Sequence, residues 1–365
     1  MTVKAQQKYI NRRAGAKLRA VLREQIFAGH VPPGELFPSI RQLSQEHHVT
    51  RETANRSLKA LVEEGLLTAE PRRGYRVRVG ACDPDRGCPV AFVDQVDHDW
   101  YAAQEAGQED YAPILRAGVT RHGWSLLAVG GLGRDSVEVM REIATARACG
   151  VIVSGLKAVA QHARSAGYAC VGMDWWEDDI SIDSVVQDDF QGGVLAARYL
   201  LERGHDRVAW VGHTTDSYHS MARIGGATSE LLRGGVSLPS EMRIECAGPE
   251  AKEEALKLFT RPDRPRAILA LWTRVAAGVY EAALELGLKP GRDFDMVGWA
   301  REEKYERDYI PIFGEETVPA AIVWSSVQMG ELAVERLAAR RQYPEMAPVK
   351  ICVPVRLIEA NGSVR

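Results

Sequence analysis

The feature that most restricts how this chain can fold is an alternation of short apolar runs with amphipathic segments, beginning at Pro89 and occurring twice. The first series is "VAFVDQ", "DYAPILRAGVTRHG", "SLLAVGG", "SVEVMREIATARAC", "GVIVSG", "AVAQHARSAG" and "ACVGM". After "DWWEDDISIDSVV" it restarts with "FQGGVLAARYLLERGH", "RVAWVG", "MARIGGATSELLRGG", a strand near Arg243–Cys246, "EEALKLF", "AILALW", "AAGVYEAALELG" and "DMVGW". Strands alternating with helices of this length predict two successive α/β units with parallel sheets. Paired units of this kind commonly hold a ligand in the cleft between them, at the carboxyl ends of the strands.

The first eighty residues follow a different plan. "AKLRAVLREQIFAG" places Leu18, Val21, Leu22 and Ile26 at helical spacing, with Gly29 as a stop. Ser39-Ile-Arg-Gln42 has the form of a capping box opening a second helix, with Ile40 and Leu43 on its apolar face. Thr50 is the expected N-cap of a third. That helix should bury Ala54, Leu58, Leu61 and Val62 and turn Arg51, Glu52, Asn55, Arg56 and Lys59 outward. Leu66–Ala69 and Tyr75–Val79 then alternate around the turn "PRRG" as a two-stranded hairpin, with Arg76 and Arg78 on the face opposite Tyr75, Val77 and Val79. Three helices and a basic hairpin predict a winged helix-turn-helix, an α+β fold whose second turn helix enters the DNA major groove while the hairpin lies along the backbone or minor groove.

Charge supports this division. The formal net charge is −3, yet residues 1–80 hold 15 Lys+Arg against 7 Asp+Glu, while the remainder holds 31 against 42. A basic head on an acidic body points to polyanion binding by the head alone. No run of apolar residues is long enough for a spanning helix, so no membrane partner is expected. The N-terminus has no apolar h-region, so a cytoplasmic protein is expected. The six cysteines form no C-x-x-C pair, and reduced thiols are expected although Cys82 and Cys88 flank "DPDRG" closely enough to pair. No strand–helix junction carries a nucleotide-binding or hydrolase motif, and no catalytic constellation is visible. The chain is therefore expected not to be an enzyme, with no cofactor and no metal. "HTTDSYHS" is read as a polar pocket loop.

"GHVPPGELFPSIRQLSQEHHVTRETANRSLKALVEEGLL" followed by "RRGYRV" resembles the GntR-type DNA-binding domain. The resemblance rests on the "PPG" bend, the "PS-x-R-x-L" and "T-R-x-T" helix starts, "L-x-x-L-x-x-x-G-L" and the wing glycine. It implies that Ser39 and Arg41 contact phosphates, that Thr50, Arg51 and Thr53 contact an operator, and that Gly74 sits at the wing tip. The outward Asn55 and Arg56 are expected to carry base preference, and Arg72 and Arg73 to meet the DNA backbone.

"SVVQDDFQGGVLAARYLLERGHDRVAWVG", "ARIGGATSELLRGG", "AAGVYEAALELGLKPGRDFDMVGW" and "SVQMGELAVERLAAR" resemble the LacI/GalR-type effector domain, itself similar to periplasmic sugar-binding proteins. That likeness implies ligand roles for Arg223 and Asp188. Two departures stand out: Trp272-Thr273 replaces the family's Asn-Asp, and Gly298-Trp299-Ala300-Arg301 lacks its aspartate. Both remove groups that normally bind sugar hydroxyls. Trp272 offers a stacking face instead, and Trp100, Tyr101 and Trp299 are further ligand candidates, with Trp175 and Trp176 in a neighbouring loop.

The expected architecture is a winged helix-turn-helix over 1–79, a linker over 80–88, and a periplasmic-binding-protein-like domain over 89–365. The latter comprises two Rossmann-like α/β subdomains, 89–185 and 186–320, and a C-terminal crossover, 321–365. The expected function is a ligand-responsive bacterial repressor, a homodimer with double-stranded operator DNA and a small-molecule effector as partners. The alternative is a DNA-binding regulator whose cleft is vestigial and which a protein partner controls.

Overall fold

Three helices open the chain, the second and third capped by their own sequence, while Gly29, the expected stop of the first, lies outside the described residues. The computed structural model describes residues 3–27, 30–79, 87–95, 111–214 and 217–362. Helix α1 spans Val3–Phe27 and buries Leu18, Leu22 and Ile26, whereas Val21 is 37% exposed and flanks the apolar stripe instead of joining it. Helix α2, Ile40–Glu46, begins at the expected capping box, and α3, Arg51–Glu63, begins at Thr50. Strands β1 (Leu67–Glu70) and β2 (Gly74–Val77) pair antiparallel, with Leu67 opposite Val77. Leu18, Leu22, Leu43, Ala54, Leu58, Leu61 and Val77 close one core, so these elements form a winged helix-turn-helix with its own hydrophobic centre.

The chain divides into two compact units. One comprises Met1–Gly172 and Val334–Ala347, the other Met173–Ala333 and Pro348–Arg365. In the first, beyond the head, β3 (Cys88–Asp94) lies between β4 (Trp124–Gly130) and β5 (Gly150–Val153), and β5 pairs onward with β6 (Cys170–Met173). All these pairings are parallel. Their connections carry α4 (Ala112–Arg121), α5 (Ser136–Thr145) and α6 (Lys157–Ser165).

In the second unit, β7 (Asp183–Gln187) pairs in parallel with β13 (Lys350–Val353). A sheet of order β14-β12-β11-β10-β8-β9 follows, built from β8 (Val208–Val211), β9 (Arg243–Ile244), β10 (Ala267–Ala270), β11 (Asp295–Arg301), β12 (Ala320–Trp324) and β14 (Val355–Ile358). Only β14 runs antiparallel to its neighbour in that sheet. Strands β8, β10 and β12 are buried along their whole length, as parallel strands covered on both faces must be. Helices α7 (Asp189–Glu202) and α8 (Tyr218–Arg233) pack on each other at two glycines. A Cβ on Gly193 would run into the Arg223 carbonyl, and one on Gly226 into the Phe190 carbonyl. The two backbones therefore touch, which fixes α8 against the start of α7. Helix α9 (Ala251–Phe259) and helix α10 (Thr273–Glu285) complete the β9–β11 connections.

The reduced state expected of the cysteines is corrected in part. Cys88 is disulfide-bonded, while Cys149, Cys246 and Cys352 are free thiols. Metal sites and disulfide frameworks declare themselves by repeated cysteine spacings, and a single bridge does not.

Candidate functional site

On the head, the geometry of α3 sorts its residues cleanly. Thr50 Oγ1 accepts from the Thr53 backbone N–H at 3.1 Å and lies 2.9 Å from the Thr53 hydroxyl, so Thr53 faces inward and is buried. Arg51, Arg56 and Lys59 are exposed, and Arg56 is held by an ion pair of 2.7 Å with Glu52 one turn earlier. Asn55 is half-buried; its Oδ1 accepts from the Tyr75 hydroxyl at 3.1 Å, tying the helix to the hairpin. Ser39 caps α2 through both atoms of its box: its Oγ accepts from Gln42 N–H, and its N–H donates to Gln42 Oε1 at 2.9 Å. Arg41 is exposed beside it. At the hairpin turn Arg72, Arg73 and Gly74 are exposed, with Gly74 at φ 111° and Arg72 at φ 64°. Arg76 and Arg78 lie on the hairpin face opposite Val77 and meet acceptors there. Arg76 forks onto Glu70, with one contact of 2.6 Å, and donates to the Gly34 carbonyl; Arg78 donates to the Arg341 carbonyl. Alternation set their face of the strand, and internal acceptors then claimed their charge.

The expected ligand residues fall into three groups. Trp100 and Tyr101 lie outside the described residues. Asp188 is the N-cap of α7, its carboxylate accepting from the Gln191 N–H at 3.1 Å. Arg223, Trp272 and Trp299 come together, joined by Trp324. The Arg223 guanidinium lies 4.3 Å from the Trp272 ring, 5.6 Å from Trp299 and 5.3 Å from Trp324. Trp324 ends β12, and Trp272 stands two residues beyond β10, so the cage sits at strand carboxyl ends as expected of a parallel sheet. Trp272 holds φ 71°, a left-handed conformation that a bulky side chain rarely adopts. Such strain persists where surrounding structure over-determines it.

Two residues outside the expected ligand set organise this cage, Asp189 and His219, the latter within the stretch read as a polar pocket loop. Asp189, the neighbour of the expected Asp188, is fully buried and accepts from Arg223 Nε at 2.6 Å with Oδ1. Its Oδ2 lies 2.6 Å from His219 Nδ1, and His219 Nε2 lies 2.9 Å from the Asp174 carbonyl. The anionic oxygen at one ring nitrogen and the carbonyl at the other both favour the charged, doubly protonated ring. Burial pushes against that charge, but the hydrogen bond to Asp189 and the charges of Asp174 and Asp189 outweigh it and hold His219 above its ordinary range. Burial likewise opposes the Asp189 charge, and Arg223 and His219 overcome it, keeping that carboxyl below its ordinary range. The signal was present in the sequence. In an Asp-Asp pair at a helix start one residue caps and the next can turn to the core, and His219 precedes Arg223 by one turn. Nearby, the Lys350 ammonium lies 4.3 Å from the Trp176 ring and donates to the Tyr218 hydroxyl at 3.2 Å. Trp175 is half-buried.

Residues 15–77 match the model of the bacterial regulatory proteins of the gntR family, and residues 197–360 match that of the periplasmic binding protein-like domain. The chain is thus similar to a GntR-type DNA-binding domain near its N-terminus and to a periplasmic-binding-protein-like domain in its second half. The ribose operon repressor of Escherichia coli (strain K12) is 26% identical over 196 residues, 53% of this chain and 57% of the repressor. The alignment thus spans little more than half of that relative's length. The body's fold recurs in the transcriptional regulator CelR–cellobiose complex, with a TM-score of 0.64 and 16% identity over 89% of this chain and 100% of that one. The lac repressor dimer bound to operator and the anti-inducer ONPF superposes with a TM-score of 0.62 and 17% identity, covering 77% and 96%.

Proposed function

We propose that the chain is a ligand-responsive transcription regulator, a repressor acting in the cytoplasm as a homodimer on a two-fold symmetric DNA operator. The observation that carries this reading is the division of α3. Its Ala54, Leu58 and Leu61 are fully buried in the head's core, so Arg51, Arg56 and Lys59 are left to solvent, with Arg51 at the end that Thr50 caps. Arg51 and Asn55 supply the long donors that base edges require, and the exposed Arg72 and Arg73 supply charge for the phosphates. Asn55 reaches a base through its amide N–H groups, its oxygen being held by Tyr75. Ser39, Arg41, Thr50 and Gly74 sit where the GntR-type likeness puts backbone contacts. Thr53, buried against Thr50, orients that residue.

A small molecule bound at the Arg223 cage shifts the relative populations of two conformations of the body, and the heads respond because only one conformation presents them in register with both half-sites. The names of the relative and neighbours, repressors and regulators seen with cellobiose or with an operator, support this direction. Selection from a random-sequence DNA pool followed by footprinting tests it. The expected footprint is two half-sites related by a dyad; protection of one unpaired half-site by a monomer overturns the proposal.

A further inference from the structure

The Arg223 cage is unbalanced in its hydrogen bonding, and the imbalance has a sign. Arg223 is fully buried, and its Nε is satisfied by Asp189, yet neither Nη1 nor Nη2 has a hydrogen-bond partner among the described residues. The indole N–H groups of Trp299 and Trp324, whose rings surround the same guanidinium, are buried and equally unpartnered among them. On the acceptor side both oxygens of Asp189 are engaged, one by Arg223 and one by His219. The Gln187 amide oxygen, whose side chain meets the same histidine, is an open acceptor, and the Asp174 carboxylate lies by that histidine too, its Oδ1 3.6 Å from Nε2. Four open donors therefore gather at the guanidinium, whereas these acceptors gather at His219. A buried donor without a partner carries its full desolvation cost.

A neutral sugar would relieve this poorly, because every hydroxyl that accepts from Arg223 also brings a proton needing an acceptor. The two departures in sequence, Trp272-Thr273 and Gly298-Trp299-Ala300-Arg301, remove the side chains that would take those protons. Thr273, whose hydroxyl donates to the Trp299 carbonyl at 3.2 Å, leaves one neutral oxygen where the family pattern has two polar side chains. An oxyanion brings acceptors alone, and the two Nη groups present the planar fork that matches it. Resting on the effector-sensing reading above, we propose that the ligand of this body is a small metabolite bearing an oxyanion, a carboxylate or a phosphate ester, which pairs with Arg223 Nη1 and Nη2. Trp272, which lies over the guanidinium in a strained conformation, gives way as it enters.

Calorimetric titration of the full chain tests this with matched sets: glucose, glucuronate and glucose 6-phosphate; ribose, ribonate and ribose 5-phosphate; and acetate and inorganic phosphate as minimal probes. A charged member is expected to bind at least about tenfold more tightly than its neutral parent, and the better of the two charged arms identifies carboxylate or phosphate. Arg223→Lys, which keeps the charge and loses the fork, should erase that preference. Should that variant fail to fold, Trp272→Gly, which relieves the backbone and uncovers the guanidinium, should keep or increase it. A neutral sugar that binds as well as its acid or phosphate, a folded Arg223→Lys that retains the preference, or a Trp272→Gly that loses it overturns the proposal. None of these outcomes touches effector sensing itself. Silence from every compound overturns the oxyanion and the effector half of the function together, while the footprint decides the DNA half separately.

Discussion

At the scale of single residues, the Asp189–Arg223 pair is the most consequential contact in the second unit. Both side chains are fully buried, so removing one partner leaves a desolvated charge. Asp189→Asn is expected to cost about 3–5 kcal/mol in urea unfolding, whereas Asp188→Asn, which keeps a capping oxygen, should cost well under that. His219 adds a pH dependence of known sign. Its folded value is raised above 6.5, so its contribution to stability is complete below that pH and disappears as pH rises through the folded value. Asp189 is held below 3.8, so its contribution is complete above that pH and is lost on acidification towards its folded value. Unfolding midpoints of the wild type should therefore decline on the alkaline side of 6.5, and His219→Gln should flatten that decline. The sequence exposed half of this cluster. Arg223 and Trp272 could be placed because helix and strand ends align with a family pattern, but the choice between Asp188 and Asp189 depends on which way each points at a helix start. That rotation is set by packing on α8, which spacing along the chain does not report.

At the scale of elements, the crossing of α7 and α8 positions the site. Gly193 and Gly226 let the helices meet backbone to backbone, and that approach sets Arg223 within reach of Asp189. Gly193→Ala or Gly226→Ala forces the helices apart and should destabilise by about 1–3 kcal/mol or more. It should also weaken ligand binding, whereas alanine at Gly225, whose Cβ would meet nothing within 4 Å, should do neither. Thermal unfolding and titration of the three variants check this. The elements themselves were largely legible: the Ser39 box, the Thr50 cap and the buried stripe of α3 follow from local rules that tertiary structure leaves alone. Strand faces were harder. Arg76 and Arg78 lie on the predicted side of the hairpin, but Glu70 and two backbone carbonyls lie there too, and those acceptors are remote in sequence or on the partner strand.

At the scale of the whole molecule, that neutralisation changes what a nucleic acid meets. Of the wing's four arginines, Arg72 and Arg73 remain exposed for phosphate contacts. Replacing either by alanine should weaken binding to all sequences alike and reduce the salt slope by about one for each phosphate left without its arginine. Arg51→Ala should instead cost about 1–3 kcal/mol at particular base pairs and little on random DNA, as measured by competition gel shift. The net charge of −3 conceals this polarity, since the acidic body outweighs the basic head. The strained Trp272 also gives the molecule something no assay has to add. An indole emits according to the polarity of what surrounds it, and this one rests on a buried cation that a ligand must reach. Its displacement should shift the chain's own fluorescence in proportion to occupancy, and Trp272→Phe should reduce that change to what Trp299 and Trp324 of the same cage contribute. The protein thus carries an optical gauge of its own loading, readable before any DNA is present.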